Sequence, residues 1–335
     1  MKSIKILLLL LLIALAPAKT AAALREVREV HYQMGTYLEF TLWHHEPETA
    51  KRLIRDAVRE VHRLDEILSN YDPDSALSRL NQHAGAGAMC VPAELFALLS
   101  TAREFSEKTG GIFDVTVGPL MELWRKAAAE NRLPSGKQLA QALAAVSYRN
   151  LVLYRPDEVE LTRGGMSVDL GGIGKGYAVD RVTDIMRAAG VTAALINFGG
   201  SSISAIGAPP GKPGWEIAVQ DTDERLRGAI HLRDTALSTS GSMGRWWTID
   251  GKKYGHLIHP ISGAPITETR TAIVIARSAT RAEALTKPLV LLGKNALPTI
   301  ENFSDTEAIV LAPSGEPAFS RQFRSRSSWK EISKK

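Results

Sequence analysis

The chain has 335 residues, 44% of them hydrophobic, a formal charge of +5 and a single cysteine. That is enough apolar material for one large or two intimate domains, and one thiol excludes an internal disulfide framework. Lys2, Lys5 and Lys19 lie in the first 23 residues, and residues 321–335 hold six bases against Glu331; the body between is slightly acidic, so no nucleic-acid partner is indicated.

In chain order, residues 1–23 begin with Lys2 and Lys5, run through an apolar stretch from Ile6 to Leu15, and end on Ala21-Ala22-Ala23. This reads as a secretory signal peptide cut before Leu24. No later stretch approaches about 18 uninterrupted apolar residues. The processed chain is therefore expected to be soluble in the periplasm, and no cysteine stands at the cut site to make it lipid-anchored. Residues 24–320 read as the folded domain and 321–335 as a basic, solvated tail.

Residues 37–43 alternate, with Leu38, Phe40 and Leu42 on one side, and predict a half-buried strand. Ile54, Ala57, Val58, Val61, Leu64 and Leu68 recur at helical spacing and predict a helix over 48–69. A second helix is predicted from Glu94 to the Gly110-Gly111 stop, then a loop or strand entering a short helix by 124, and another helix over 136–145. Strands are expected at 151–154, 166–170, 194–198, 215–220, 229–232 and 271–276. A hairpin is expected with arms 247–250 and 254–258 around Gly251-Lys252-Lys253. The last helix, 280–293, is expected to be interrupted at Pro288. No repeat or long linker divides the chain, so an interlaced α+β architecture follows.

The most informative stretch is VDLGGIGKGYAVD at 168–180, a short apolar run entering glycines, one lysine and a helix. Amides freed by Gly171, Gly172, Gly174 and Gly176, beside Lys175 and a helix N-terminus, suit a diphosphate-bearing ligand. It is no P-loop, because Asp169 and Gly176 stand where that motif needs glycine and a hydroxyl residue, and its spacing is not G-x-G-x-x-G. A plain strand-to-helix turn is the competing interpretation.

Seven further motifs stand in order around it: MGT at 34–36, LSNYDPDSALSRLN at 68–81, FDVTVGPL at 113–120, INFGGS at 196–201, LSTSG at 237–241, HLIHPISG at 256–263 and SATRAEALTKPLVLLG at 278–293. With these the chain resembles the ApbE family, flavin transferases that move FMN from FAD onto a protein threonine. The resemblance implies two interlaced α/β subdomains with mixed sheets and the flavin site between them. It implies FAD as substrate, and as acceptor a protein with an exposed Ser/Thr flavinylation motif, a membrane redox subunit outside the cytoplasm. No D-G-x-[ST]-G-[AS]-T string occurs in this chain to flavinylate itself.

By the same resemblance Gly174, Lys175 and Gly176 hold the diphosphate, Asp180 lies near the adenosine half, and Tyr71 lies against the flavin ring. Met34 falls in a flavin-pocket strand, and Asp114, Asn197, Gly199, Gly200 and Ser240 complete the cofactor-binding set. His256 matches the histidine that accepts the threonine proton; His259 and Ser262 depart from the family string. On a strand, His256 and His259 would lie on opposite faces, which argues against zinc.

The family's magnesium is held by a carbonyl, here Gly174, by an aspartate, here Glu283, and by a threonine four residues on, here Lys287. An ammonium cannot ligate a cation, and Thr286 stands one residue early, about 100° around an ideal helix. Three arrangements are open. Lys287 supplies the positive charge in place of Mg2+; or Mg2+ binds through Gly174, Glu283 and Thr286; or the chain is a non-catalytic FAD-binding maturation factor or flavin carrier. Glu283 and Lys287 join His256 as the catalytic candidates.

Overall fold

An eight-stranded sheet organises the chain, in the order Arg25–Gln33, Thr36–His44, Ala194–Phe198, Ser202–Ile206, Ala236–Gly241, Thr271–Ala276, Glu307–Leu311 and Ala318–Phe319. The structure is a computed structural model that describes residues 23–221, 225–241, 246–313, 316–323 and 330–331. The predicted signal peptide, save Ala23, and most of the basic tail lie outside the described residues. Every ladder of this sheet is antiparallel. The parallel component expected of mixed sheets is confined, among the described residues, to the isolated bridge between Val117 and Ser167.

Alternation sets the register of the sheet. Leu38, Phe40 and Leu42 pair with Phe198, Ile196 and Ala194, which puts all six side chains into one core. Helices cover that face. Pro47–Leu68 turns Ala50, Ile54, Ala57, Val61, Leu64 and Leu68 inward at spacings of three and four, as its sequence pattern demands. Gly174–Ala188 and Ala279–Leu292 complete the layer. On the opposite face, Trp215–Gln220 and Leu226–Leu232 form a ladder whose Trp215, Val219, Ile230 and Leu232 pack on Ile203, Leu237, Ile273 and Ile275. The chain leaves the large sheet after His44 and returns at Ala194; in between lie helices and a three-stranded sheet.

Four local expectations are corrected. Met34 and Gly35 are not in a strand but form the two-residue turn of the first hairpin, at φ 44° and 76°, the left-handed pair that a tight hairpin requires. Residues 166–170 do not form a strand, because the Asn81 side chain takes the place of a neighbouring strand: its amide oxygen accepts from the Val168 amide at 2.7 Å and its nitrogen donates to the Val168 carbonyl at 3.0 Å. The later hairpin pairs Trp246–Ile249 with Lys252–Gly255, so its turn is the Asp250-Gly251 pair at φ 50° and 70°, and both lysines belong to a strand. Finally, Ala279–Leu292 continues through Pro288 rather than breaking there. Ten of its fourteen residues, Pro288 included, are buried, and tertiary burial outweighs the lost amide donor.

Candidate functional site

A cavity of about 750 Å³ is lined by residues from both halves of the chain. Its wall takes the first hairpin turn, the turn at 69–71, the loop at 112–117, the glycine segment, the end of the strand Ala236–Gly241, the loop at 256–260, and one face of helix Ala279–Leu292. Met34, Tyr71, Asp114, Gly174, Lys175, Gly199, Ser240, His256, Glu283 and Lys287 all line it, although they span the chain from 34 to 287. Gly176, Asp180, Asn197, Gly200 and Thr286 do not.

Each residue off the wall has a different occupation. Gly176 is a packing position: a Cβ there would meet the Ala279 carbonyl oxygen at 2.4 Å, and its amide donates to Glu283 Oε2 at 2.6 Å. Asp180, expected beside the adenosine half, instead accepts from Ser278 Oγ, from the amides of Ala279 and Thr280, and from Thr280 Oγ1. It caps the first turn of helix Ala279–Leu292 from the neighbouring helix. Burial raises its pKa against the lowering effect of those donors. The Asn197 side chain accepts from the Gly200 amide at 3.0 Å and holds the Gly199-Gly200 turn, where both residues have φ near +65°. Thr286 is fully buried beside Ser240.

The glycine segment offers fewer free amides than its glycine count implied. Within 171–176 the amide of Gly171 donates to Asp169 Oδ1, those of Ile173 and Gly174 to the Leu170 carbonyl, and that of Gly176 to Glu283. Among the described residues this leaves the amides of Gly172 and Lys175, both on the cavity wall, as the uncommitted donors of the segment. They stand at the start of Gly174–Ala188, where the helix dipole favours an anion.

Charge is concentrated around Glu283. This carboxylate is 2% exposed; Oε2 takes the Gly176 amide and Oε1 lies 3.2 Å from Lys175 Nζ. One turn further along the same helix face, Lys287 Nζ donates to Ser240 Oγ at 2.9 Å, and to the Glu283 carbonyl and Thr286 Oγ1 at 3.2 Å each. Burial lowers the Lys287 pKa to about 8, with Glu283 opposing and Lys175 adding to the shift.

The rest of the wall is aromatic, apolar or polar. Tyr71 is 85% exposed at the mouth with the Arg125 guanidinium 6.0 Å over its ring. Asp114 is locked into its loop: it accepts from the Thr116 amide and hydroxyl and from the Tyr148 amide, and burial raises its pKa against these donors. Its carboxylate braces the 112–117 wall. Sequence reasoning missed Asp65, Arg125 and Asp169, which also line the cavity. Arg125 follows the FDVTVGPL motif by one helical turn, so helical spacing could have found it. Asp65 is one turn before the 69–71 turn, and burial, the largest cause, raises its pKa. His256 and His259 sit in a loop rather than on a strand, and His259 Nδ1 accepts from the Ser262 amide at 3.2 Å.

The sequence pattern of the ApbE family matches residues 34–310. This chain belongs to the ApbE family. It is 29% identical to the FAD:protein FMN transferase of Treponema pallidum over 315 residues, 87% of this chain and 86% of that one. It is 31% identical to the enzyme of the same name from Salmonella typhimurium over 238 residues, 68% of each chain. The ApbE protein of Thermotoga maritima superposes with a TM-score of 0.80 at 28% identity, covering 90% of this chain and 99% of that one. The α+β architecture with interlaced halves is thus that of the family.

The magnesium that the ApbE resemblance implies does not fit the residues present. Both Glu283 carboxylate oxygens are taken, by Gly176 and Lys175. The Thr286 hydroxyl lies between Ser240 Oγ and the Glu283 carbonyl, at 2.7 Å from each. An ammonium already sits on Ser240, Thr286 and that carbonyl. Mg2+ completes its octahedron with waters and substrate phosphates but takes one or two protein carboxylates; here the Glu283 carboxylate is already committed, and two lysines stand against a dication.

Proposed function

We propose that this protein is a FAD:protein FMN transferase. A threonine or serine hydroxyl of an acceptor protein attacks the FMN-side phosphorus of FAD; the new O–P bond forms as the bond to the AMP phosphate breaks. FMN remains on the acceptor as a phosphoester, AMP leaves, and the hydroxyl proton passes to His256. Such a step is mostly positioning and charge neutralisation. The observation that carries this reading is the convergence in one cavity of Lys175, Lys287, His256 and the exposed ring of Tyr71, within an ApbE fold.

The roles follow from the chemistry. The Gly172 and Lys175 amides with the Lys175 ammonium receive the diphosphate. Tyr71 offers a planar face for isoalloxazine in a cavity that Met34, Met121 and Leu291 also line. Asn197, Gly200 and Asp180 act at one remove, holding the turn and the helix that form the wall. The leader predicted at 1–23 supports action in the periplasm, with a membrane redox subunit as acceptor.

The test is to incubate the purified protein with FAD and a threonine-containing acceptor peptide, then follow peptide mass and AMP together. Equal appearance of flavinylated peptide and AMP is expected. FAD retained without turnover would favour a flavin carrier, and FMN plus AMP formed regardless of peptide would make the protein a FAD pyrophosphatase.

A further inference from the structure

Magnesium is the expected partner of a transferred phosphate, yet its place is filled from within the chain. We infer that the Lys287 ammonium is the resident counter-charge for the FAD diphosphate, so that diphosphate binding by this protein is metal-independent. The inference rests on FAD being the ligand, as proposed above.

Three observations converge on it. First, Lys287 Nζ is held by three oxygens, Ser240 Oγ, the Glu283 carbonyl and Thr286 Oγ1, at 2.9–3.2 Å. Three ammonium protons meet three acceptors, so the charge is fixed in place on the cavity wall. Second, Glu283 has been retasked. Its carboxylate ties Lys175 and the Gly176 amide together, which fixes one helix against the other instead of presenting oxygens to an ion. Third, the two lysine ammonium groups are the charges placed beside the uncommitted amides. Lys175 and Lys287 flank one carboxylate, Glu283, and leave one positive charge among these three groups next to the amides of Gly172 and Lys175, on a wall that also carries Asp65, Asp114, Asp169 and Arg125.

Steric fit agrees with this. The Lys287 stem passes directly under the glycine segment, with its Cε 3.4 Å from where a Cβ on Gly172 would stand. That is ordinary van der Waals contact, so the stem packs against the backbone at residue 172. Because Ser240 Oγ accepts from both Lys287 Nζ and Thr286 Oγ1, its own proton is left for a phosphate oxygen. With its protons held by the protein, the ammonium would act on the diphosphate through space, from the side where Ser240 offers a neutral donor.

The experiment compares FAD affinity of the purified protein, by flavin fluorescence titration, in EDTA and in magnesium chloride. Agreement within about twofold is expected, and magnesium added to FAD-free protein should leave the melting temperature unchanged. Lys287→Met, which keeps the stem and removes the charge, should weaken FAD binding about tenfold or more; Lys287→Arg should retain most of it. Loss of FAD binding by the parent protein in EDTA overturns the inference. So does a folded Lys287→Met protein that binds FAD like the parent. Should Lys287→Met fail to fold, the EDTA comparison on the parent decides alone. Metal-independent FAD binding without covalent flavin on any acceptor would keep this inference and remove the transferase reading; no FAD binding at all would remove both.

Discussion

Glu283 occupies a metal-ligand position by sequence and a structural position by geometry. Its carboxylate is buried, receives the Gly176 amide, and pairs with Lys175. Replacing it with alanine strands a buried amide, so Glu283→Ala should lose about 2 kcal/mol of stability in urea unfolding. Lys287, four residues on, supplies a pH signature. Its folded pKa of about 8 lies below its ordinary value of 10.5, with burial as the main cause. Below about 8 the lysine is protonated in both folded and unfolded chains, and its contribution is constant. Between about 8 and 10.5 only the unfolded chain holds the proton, so this group makes stability rise with pH. FAD affinity should move the other way and weaken through the same window as the ammonium, flanked by Glu283 and Lys175, is lost. Unfolding and FAD titrations of the parent and Lys287→Met across that range check both signs; both trends should flatten in the variant. None of this was legible from residue types, because the pKa and the partners are products of burial.

Between elements, the contact of helix Gly174–Ala188 with helix Ala279–Leu292 holds the site in shape. Asp180 reaches across it to cap the second helix through four donors. Asp180→Ala should therefore cost about 2 kcal/mol. Asp180→Asn is the discriminating variant. A capping role predicts a partial loss of stability with FAD affinity nearly intact, whereas direct contact with the adenosine half predicts lost affinity at unchanged stability. Gly176→Ala pushes a methyl group into the Ala279 backbone and should cost about 1–3 kcal/mol by overpacking, read from the shift in denaturation midpoint. The sequence placed the second of these helices to within a residue at each end, because its pattern is local. It misplaced residues 166–170 because the partner that satisfies that backbone, Asn81, lies far along the chain. It missed the Asp250-Gly251 turn by overlooking the Asp-Gly pair.

Across the whole molecule, the cavity wall draws on residues from the first hairpin to the last long helix. A ligand there bridges segments that are distant in sequence and that share one core. FAD should therefore stabilise the fold as a unit, by about 2.7 kcal/mol at a hundredfold excess over its dissociation constant. A single calorimetric transition shifting upward with FAD is the expected result. Lys175→Ala should abolish FAD retention and the shift with it; unchanged flavin affinity in that variant would remove Lys175 from the diphosphate site.

The order of motifs, the periodicities and the glycine-lysine segment were enough to assign the family, the α+β class and ten cavity-lining residues, since motif spacing and side-chain alternation are properties of the chain itself. Which glycine amides stay uncommitted, which aspartate serves as a cap, and which oxygens hold the Lys287 ammonium were decided only in three dimensions. For Gly176 and Asp180 the outcome turns on hydrogen-bond partners 98 to 107 residues away, Glu283 and Ser278 among them. Competition for a buried donor is settled by whichever acceptor the packing brings within reach.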